Sequence, residues 1–239
     1  MIKAESSIKI IKDAINALTF PITIKTVTTN TNGTFTLSVS NNWHAQPGFP
    51  ITINSVVYKI TDIDYCSITV KGSPTPTVGI IFQLYKPFFF HGTPIKVGED
   101  LAAPEISEDA FKKTPMIYFV ENFRDEYYNI TDIRDRDINV SLFFLSQNDP
   151  ENFTTKDSYK YVVEPMRRLF EVLESYLEQK RGIFYMQEGR PKVENFANFG
   201  VYVKDRGILK SAWNDKLAGC ERIGIITLMK QWICAECDC

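Results

Sequence analysis

Residues 158–180, SYKYVVEPMRRLFEVLESYLEQK, carry the strongest helical pattern in the chain. Val162, Met166, Leu169, Leu173 and Tyr176 recur at spacings of three and four, and Phe170 and Leu177 widen the stripe. Pro165 belongs near the helix start or at a kink, and Arg181-Gly182 supplies a basic last turn and a stop. An apolar stripe of this width needs a surface to cover it. The flanking segments MIYFVENF (116–123), INVSLFFLSQ (138–147), IFYM (183–186), GVYVKD (200–205) and RIGIITLMKQWI (222–233) read as strands, with TDIRDRD as a charged turn or loop. The order strand, strand, helix, strand, strand, strand predicts an α+β unit with an antiparallel sheet, not a βαβ unit.

The first half of the chain has a different rhythm. Ile8, Ile11, Ile15 and Leu18 lie at helical spacing, with Ser7 as a cap and Pro21 as a stop. The period then falls to two: in GTFTLSVS, Phe35, Leu37 and Val39 alternate with Thr and Ser. PITINSVVYKITDID, CSITVKG and VGIIFQLY follow, separated by turn residues. The expected organisation is an N-terminal helix (1–21), a small antiparallel β module of about five strands, barrel or sandwich (22–86), an extended Pro- and acid-rich connector (87–114), and the α+β domain (115–239).

Composition removes several classes of function. A net charge of −2 without a basic run is wrong for a protein whose main task is coating nucleic acid. There is no run of about 18 apolar residues and no signal-peptide pattern, so neither a membrane span nor secretion is expected. The cysteines, Cys66, Cys220, Cys234, Cys237 and Cys239, are odd in number, as in a chain with reduced thiols made in a cytoplasm.

Motifs for catalysis are scarce. The chain has no Walker loop, G-x-G-x-x-G, G-x-S-x-G, H-E-x-x-H or EF-hand loop. Only His44 and His91 can serve as imidazole groups, and neither accompanies a nucleophile motif. Cys234-Ala-Glu-Cys237-Asp-Cys239 resembles half of a zinc site, but the second half is missing and Cys220 could complete it only through folding; no metal and no cofactor are expected. The acidic clusters Glu99/Asp100, Glu108/Asp109 and Asp132/Asp135/Asp137 read as solvated loops, with a carboxylate-based hydrolase as the remote alternative. Arg167, Arg168, Lys180 and Arg181 are expected to face water or an acidic loop.

The stretches PMIYFVENFRDEYY, DINVSLFFLSQNDPENFTTKDSYKYVVEPMRRLFEVL and YVKDRGILKSAWNDKLAGCERIGIITL resemble tail-terminator-like or head–tail connector ring proteins of tailed phages. The β module followed by PFFFHGTP looks like a module attached to such proteins in Bacteroidetes-type phages. The resemblance covers the whole chain loosely and 115–233 more closely. It implies a non-enzymatic virion subunit of the neck or tail, assembled in the host cytoplasm as a homo-oligomeric ring of six or twelve. Its implied partners are portal, neck and tail proteins, with any DNA contact confined to the lumen and transient.

Phe88, Phe89 and Phe90 fit that expectation. Neighbouring strand residues point to opposite faces, so three adjacent rings cannot share one core face. At least one seeks a second apolar surface, on the partner module or on another chain, and Pro87 and Pro94 stiffen the stretch that presents it. The three are therefore expected to be assembly or inter-module contacts. The alternative is a carbohydrate- or surface-binding accessory protein, with Trp43, Tyr58 and Tyr85 of the β module as stacking residues.

Overall fold

The computed structural model describes residues 7–92, 114–120, 125–128, 135–148, 153–179, 184–186, 192–196 and 217–229. The N-terminal isoleucine pattern forms α1 (Ser7–Ala17), whose Ile11 and Ile15, with Leu18 beyond its end, are buried. Six strands follow: β1 (Pro21–Thr29), β2 (Thr34–Val39), β3 (Pro50–Ile53), β4 (Val56–Asp64), β5 (Ser67–Lys71) and β6 (Ile81–Gln83). They form one antiparallel sheet in the order β3-β4-β5-β2-β1-β6. The sheet curls until β3 and β6 meet, giving a nearly closed barrel. The alternating residues set the inner face: Ile22 and Ile24, Leu37 and Val39, Ile51 and Ile53, Ile68 and Val70 are all buried. The β3–β4 hairpin turns on Asn54 and Ser55, both left-handed with φ of 48° and 67°, which matches the twist of a two-residue hairpin.

The second sheet runs β11 (Phe184–Met186), β13 (Leu217–Met229), β10 (Asp135–Gln147), β8 (Met116–Val120), β7 (Phe88–Gly92), with β12 (Lys192–Phe196) also beside β13 and β9 (Asp125–Tyr128) beside β10. Its spine is the antiparallel pair β10–β13, in register from Asp135↔Met229 to Gln147↔Leu217. Several expectations change here. Residues 88–92 are not connector but a strand, at the sheet edge among the described residues, and its pairing with β8 is parallel, the one departure among those residues from the expected antiparallel order. Asp135 and Asp137 belong to β10 instead of a loop, and β9 and β12 add strands that alternation did not show. The segments 93–113 and 200–205 lie outside the described residues.

This sheet buries side chains on both faces, which explains the unbroken apolar runs MIYFV and LFFL. Ile117, Phe119, Leu142 and Phe144 join the barrel interior, α1 and the long helix in one continuous core. Met116, Tyr118, Phe143 and Leu145 point the other way, into a smaller core with Phe196 and Leu217.

The helix begins earlier than its apolar stripe. Thr154 caps α2 (Thr155–Ser158) through a reciprocal box: its hydroxyl accepts from Asp157 N–H at 3.3 Å, and the Asp157 carboxylate accepts from Thr154 N–H at 3.1 Å. A π-helical turn (Tyr159–Val163) then leads into α3 (Glu164–Gln179). Pro165 accounts for the π turn. It offers no N–H, and in a regular helix its ring would press on the carbonyl of Tyr161. Widening the preceding turn, with Glu164 N–H bonded to the Tyr159 carbonyl, relieves that contact without breaking the rod. Met166, Leu169, Phe170, Leu173 and Leu177 are buried against the second sheet and α1, with the Phe170 ring edge-on to Phe144 at 5.7 Å. Arg222 of β13 reaches the same helix, 3.1 Å from Glu174.

Gly219 permits a close approach between the two spine strands. It stands opposite Leu145, and a Cβ there would fall on the carbonyl oxygen of Phe144. The obstacle is backbone held from its other side by β8, so it cannot swing away. Gly219→Ala is expected to lower stability by about 3 kcal/mol, read as a lower urea midpoint. An unchanged midpoint would mean that β10 and β13 part easily.

Candidate functional site

The three phenylalanines divide between two surfaces. In β7, Phe88, Phe89 and Phe90 stand beside Met116, Ile117 and Tyr118. Phe89 is half-buried against the large core that the barrel shares, and Phe90 is half-buried against the smaller core behind the sheet. The second apolar surface that alternation requires thus exists within the chain, because this sheet is covered on both sides. Phe88, at the start of the edge strand, stays 43% exposed with its ring 6.5 Å from that of Phe90. His91 is exposed, with its ring 6.0 Å from Phe89.

His44 occupies a different environment, fully buried between barrel and loop. Its Nε2 lies 2.7 Å from the Tyr85 carbonyl, which fixes that nitrogen as the N–H donor, and the Tyr85 hydroxyl donates to the His44 carbonyl at 3.3 Å. Phe20 meets the imidazole edge-on at 4.4 Å. Burial holds the imidazole down to about 4, with the bond to Tyr85 opposing the shift only in part. Burial also pushes the Tyr85 hydroxyl well above the ordinary phenol range, against a backbone bond to Gln46. The imidazole is therefore a neutral structural group at physiological pH. Tyr85 stacks on Phe49 at 5.0 Å, and Tyr58, 2% exposed, donates to the Pro74 carbonyl at 2.6 Å. Both rings serve the barrel interior, so of the three stacking residues expected from sequence only Trp43 faces an opening.

Polar side chains tie the barrel to the second unit. The Ser146 hydroxyl of β10 donates to the Gln46 side-chain oxygen at 2.5 Å, and both residues are buried. Arg168 of α3 donates to the side-chain oxygen of Asn42, whose amide donates to the Asp64 carbonyl at 2.6 Å. Arg168 therefore does not simply face water or an acidic loop: it is half-buried and held by the barrel. Arg167 donates to the Tyr159 hydroxyl at 3.0 Å, and Lys160 lies 3.6 Å from Asp62 at the surface. The pairs that join the two units, Gln46–Ser146, Asn42–Arg168 and Asp62–Lys160, carry no sequence signature, because folding brings each together over a long separation.

Beside this junction opens a cleft of about 700 Å³. One wall is the outer face of α3, from Arg168 through Glu171, Ser175 and Tyr176 to Gln179. The other is the end of α1, the loop Ser40–Trp43 and the β4–β5 tip, Tyr65-Cys66. Tyr65 is 81% exposed. Trp43 is held in a left-handed conformation, φ 39°, by its N–H to the Asn41 side chain at 2.7 Å and its indole N–H to the Pro21 carbonyl at 3.1 Å. Such a conformation is uncommon for a bulky residue, and here neighbouring bonds and the Phe20 ring, edge-on at 6.2 Å, over-determine it.

Other expected groups are dispersed. Cys220 is buried in the large core, where burial pushes its thiol up to about 12, unlike a metal-binding thiolate. Cys66 is exposed at the hairpin tip. Cys234, Cys237, Cys239, Lys180, Arg181, Glu99, Asp100, Glu108, Asp109 and Asp132 lie outside the described residues. Among the described residues no three His, Cys, Asp or Glu side chains gather as a metal centre requires, and no helix is long and apolar enough to cross a membrane. No protein-family model, curated protein or solved structure matches the chain.

Proposed function

We propose that this chain is a structural subunit of a tailed-phage virion, forming a homo-oligomeric ring in the neck or tail and contacting portal, neck or tail proteins there. The observation that carries the reading is Phe88: a large aromatic, 43% exposed, on the strand that is outermost in its sheet among the described residues. An edge strand offers backbone groups for pairing with another chain, and exposed aromatics concentrate where proteins associate. Support also comes from the resemblance of 115–233 to tail-terminator-like proteins, and from a helix and two sheets locked into one shared core, a rigid body suited to repeated packing. In this reading Phe89 and Phe90 anchor the edge strand to the chain's own two cores, and Phe88 makes the contact between subunits.

The test is native mass spectrometry of the purified chain. Closed rings are expected, and Phe88→Glu should yield monomers with an unchanged circular dichroism spectrum, because the ring it replaces adds little to the core. A wild-type chain that stays monomeric at micromolar concentration, or a Phe88→Glu variant that still closes rings, would overturn the assignment.

A further inference from the structure

The cleft between α3 and the barrel has the make-up of a ligand site, and we infer that it binds a short stretch of neutral oligosaccharide. Its volume, about 700 Å³, falls within the range of ligand pockets. Its chemistry is mixed in a particular way. Three aromatic rings, Trp43, Tyr65 and Tyr176, stand among amide, hydroxyl, guanidinium and carboxylate side chains. A sugar ring has the same duality, with C–H faces that stack on aromatic rings and hydroxyl edges that both donate and accept.

Three features favour this class. First, the opening is already shaped. The strained Trp43 is fixed by two hydrogen bonds, and Arg168 is fixed through Asn42 to the Asp64 carbonyl, so binding need not order either group. Second, the charge is balanced. Arg168 and Glu171, one helical turn apart, leave the cleft without a dominant sign, which disfavours an anionic or cationic ligand. Third, the walls suit a sugar better than an extended peptide. Peptides that add to a fold are gripped through the main chain of a sheet edge. Here one wall is a helix face and the other is loop and hairpin tip, so side chains must do the gripping. The helical wall from Arg168 to Gln179 is about 16 Å long, room for several sugar units.

This site lies on α3, the end of α1 and the barrel, no β7 residue lines it, and it does not depend on ring formation. The test uses the full chain and a panel of soluble neutral hexasaccharides of glucose, mannose, galactose and N-acetylglucosamine, alongside extended hexapeptides. Saturation-transfer NMR screens the panel and calorimetry measures what binds. At least one saccharide should bind. Tyr65→Ala, at an exposed hairpin tip, should weaken it by about threefold to tenfold. Ser175→Trp, which fills the cleft from an exposed helix position, should abolish it while leaving circular dichroism and oligomer size unchanged. Failure of the whole saccharide panel, saccharide binding that survives Ser175→Trp, or binding of peptides alone would overturn the proposal. Loss of rings with retained saccharide binding would count against the assembly role alone.

Discussion

Leu169→Ala is expected to lower the stability of the chain by about 2–5 kcal/mol. Leu169 is 1% exposed, on the face of α3 that meets the second sheet, and it belongs to the core that also contains the barrel interior. Its surroundings cannot close over a void easily. The Phe170 ring is braced against Phe144, Arg222 holds Glu174, and Arg168 is tied to Asn42 across the barrel junction. A cavity that cannot collapse keeps its full cost, which places the effect above the lower end of the range. The measurement is a urea denaturation midpoint, with Glu178→Ala on the exposed face as control, expected within about 0.5 kcal/mol of wild type. Because one core spans both sheets, circular dichroism and tryptophan fluorescence should report the same shifted transition. A wild-type midpoint for Leu169→Ala would refute the packing of α3.

Stability should also fall by about 3 kcal/mol between pH 7 and pH 4 on account of His44 alone. In the unfolded chain the imidazole takes its proton near 6.5, whereas in the folded chain burial delays this to about 4. Between those values the unfolded state holds more protons, so stability is greatest above the unfolded value and declines as pH falls through the window. Below about 4 both states are protonated and the loss stops. The group is fully buried, so solvent does not screen the effect. Carboxylates titrate in the same range, and His44→Gln separates them out. That variant should be less stable at pH 7 but show a flatter profile, the difference between the two curves shrinking as pH drops. Parallel curves would mean that His44 is hydrated in the folded state.

What each level of structure decides can be followed along particular residues. Local rules act over a few positions, and the sequence alone settles what they govern. The period-two alternation around Phe35, Leu37 and Val39 placed β2, the three-and-four spacing from Val162 to Leu177 placed the helix, and together they determined an α+β chain with a strand-rich first part and one long helix. The capping box of Thr154 and Asp157 was missed, because it precedes the apolar stripe and lies outside the pattern that located the helix. Two strands without alternation, β9 and β12, were not legible. Both are short, whereas MIYFV was legible as a strand but not in its facing, because it is buried on both sides. The site was least legible of all. Asn42 and Arg168 are 126 positions apart, and Gln46 and Ser146 are 100 apart. Whether Tyr58 packs inward while Tyr65 stands in water depends on which way the barrel curls. Tertiary structure alone decided that a second core would receive Phe90, that Phe88 would remain exposed, and that a cleft would open beside Trp43. A periodicity reports that a residue must be covered, but its covering partner comes from distant chain, and only the closed fold brings the two together.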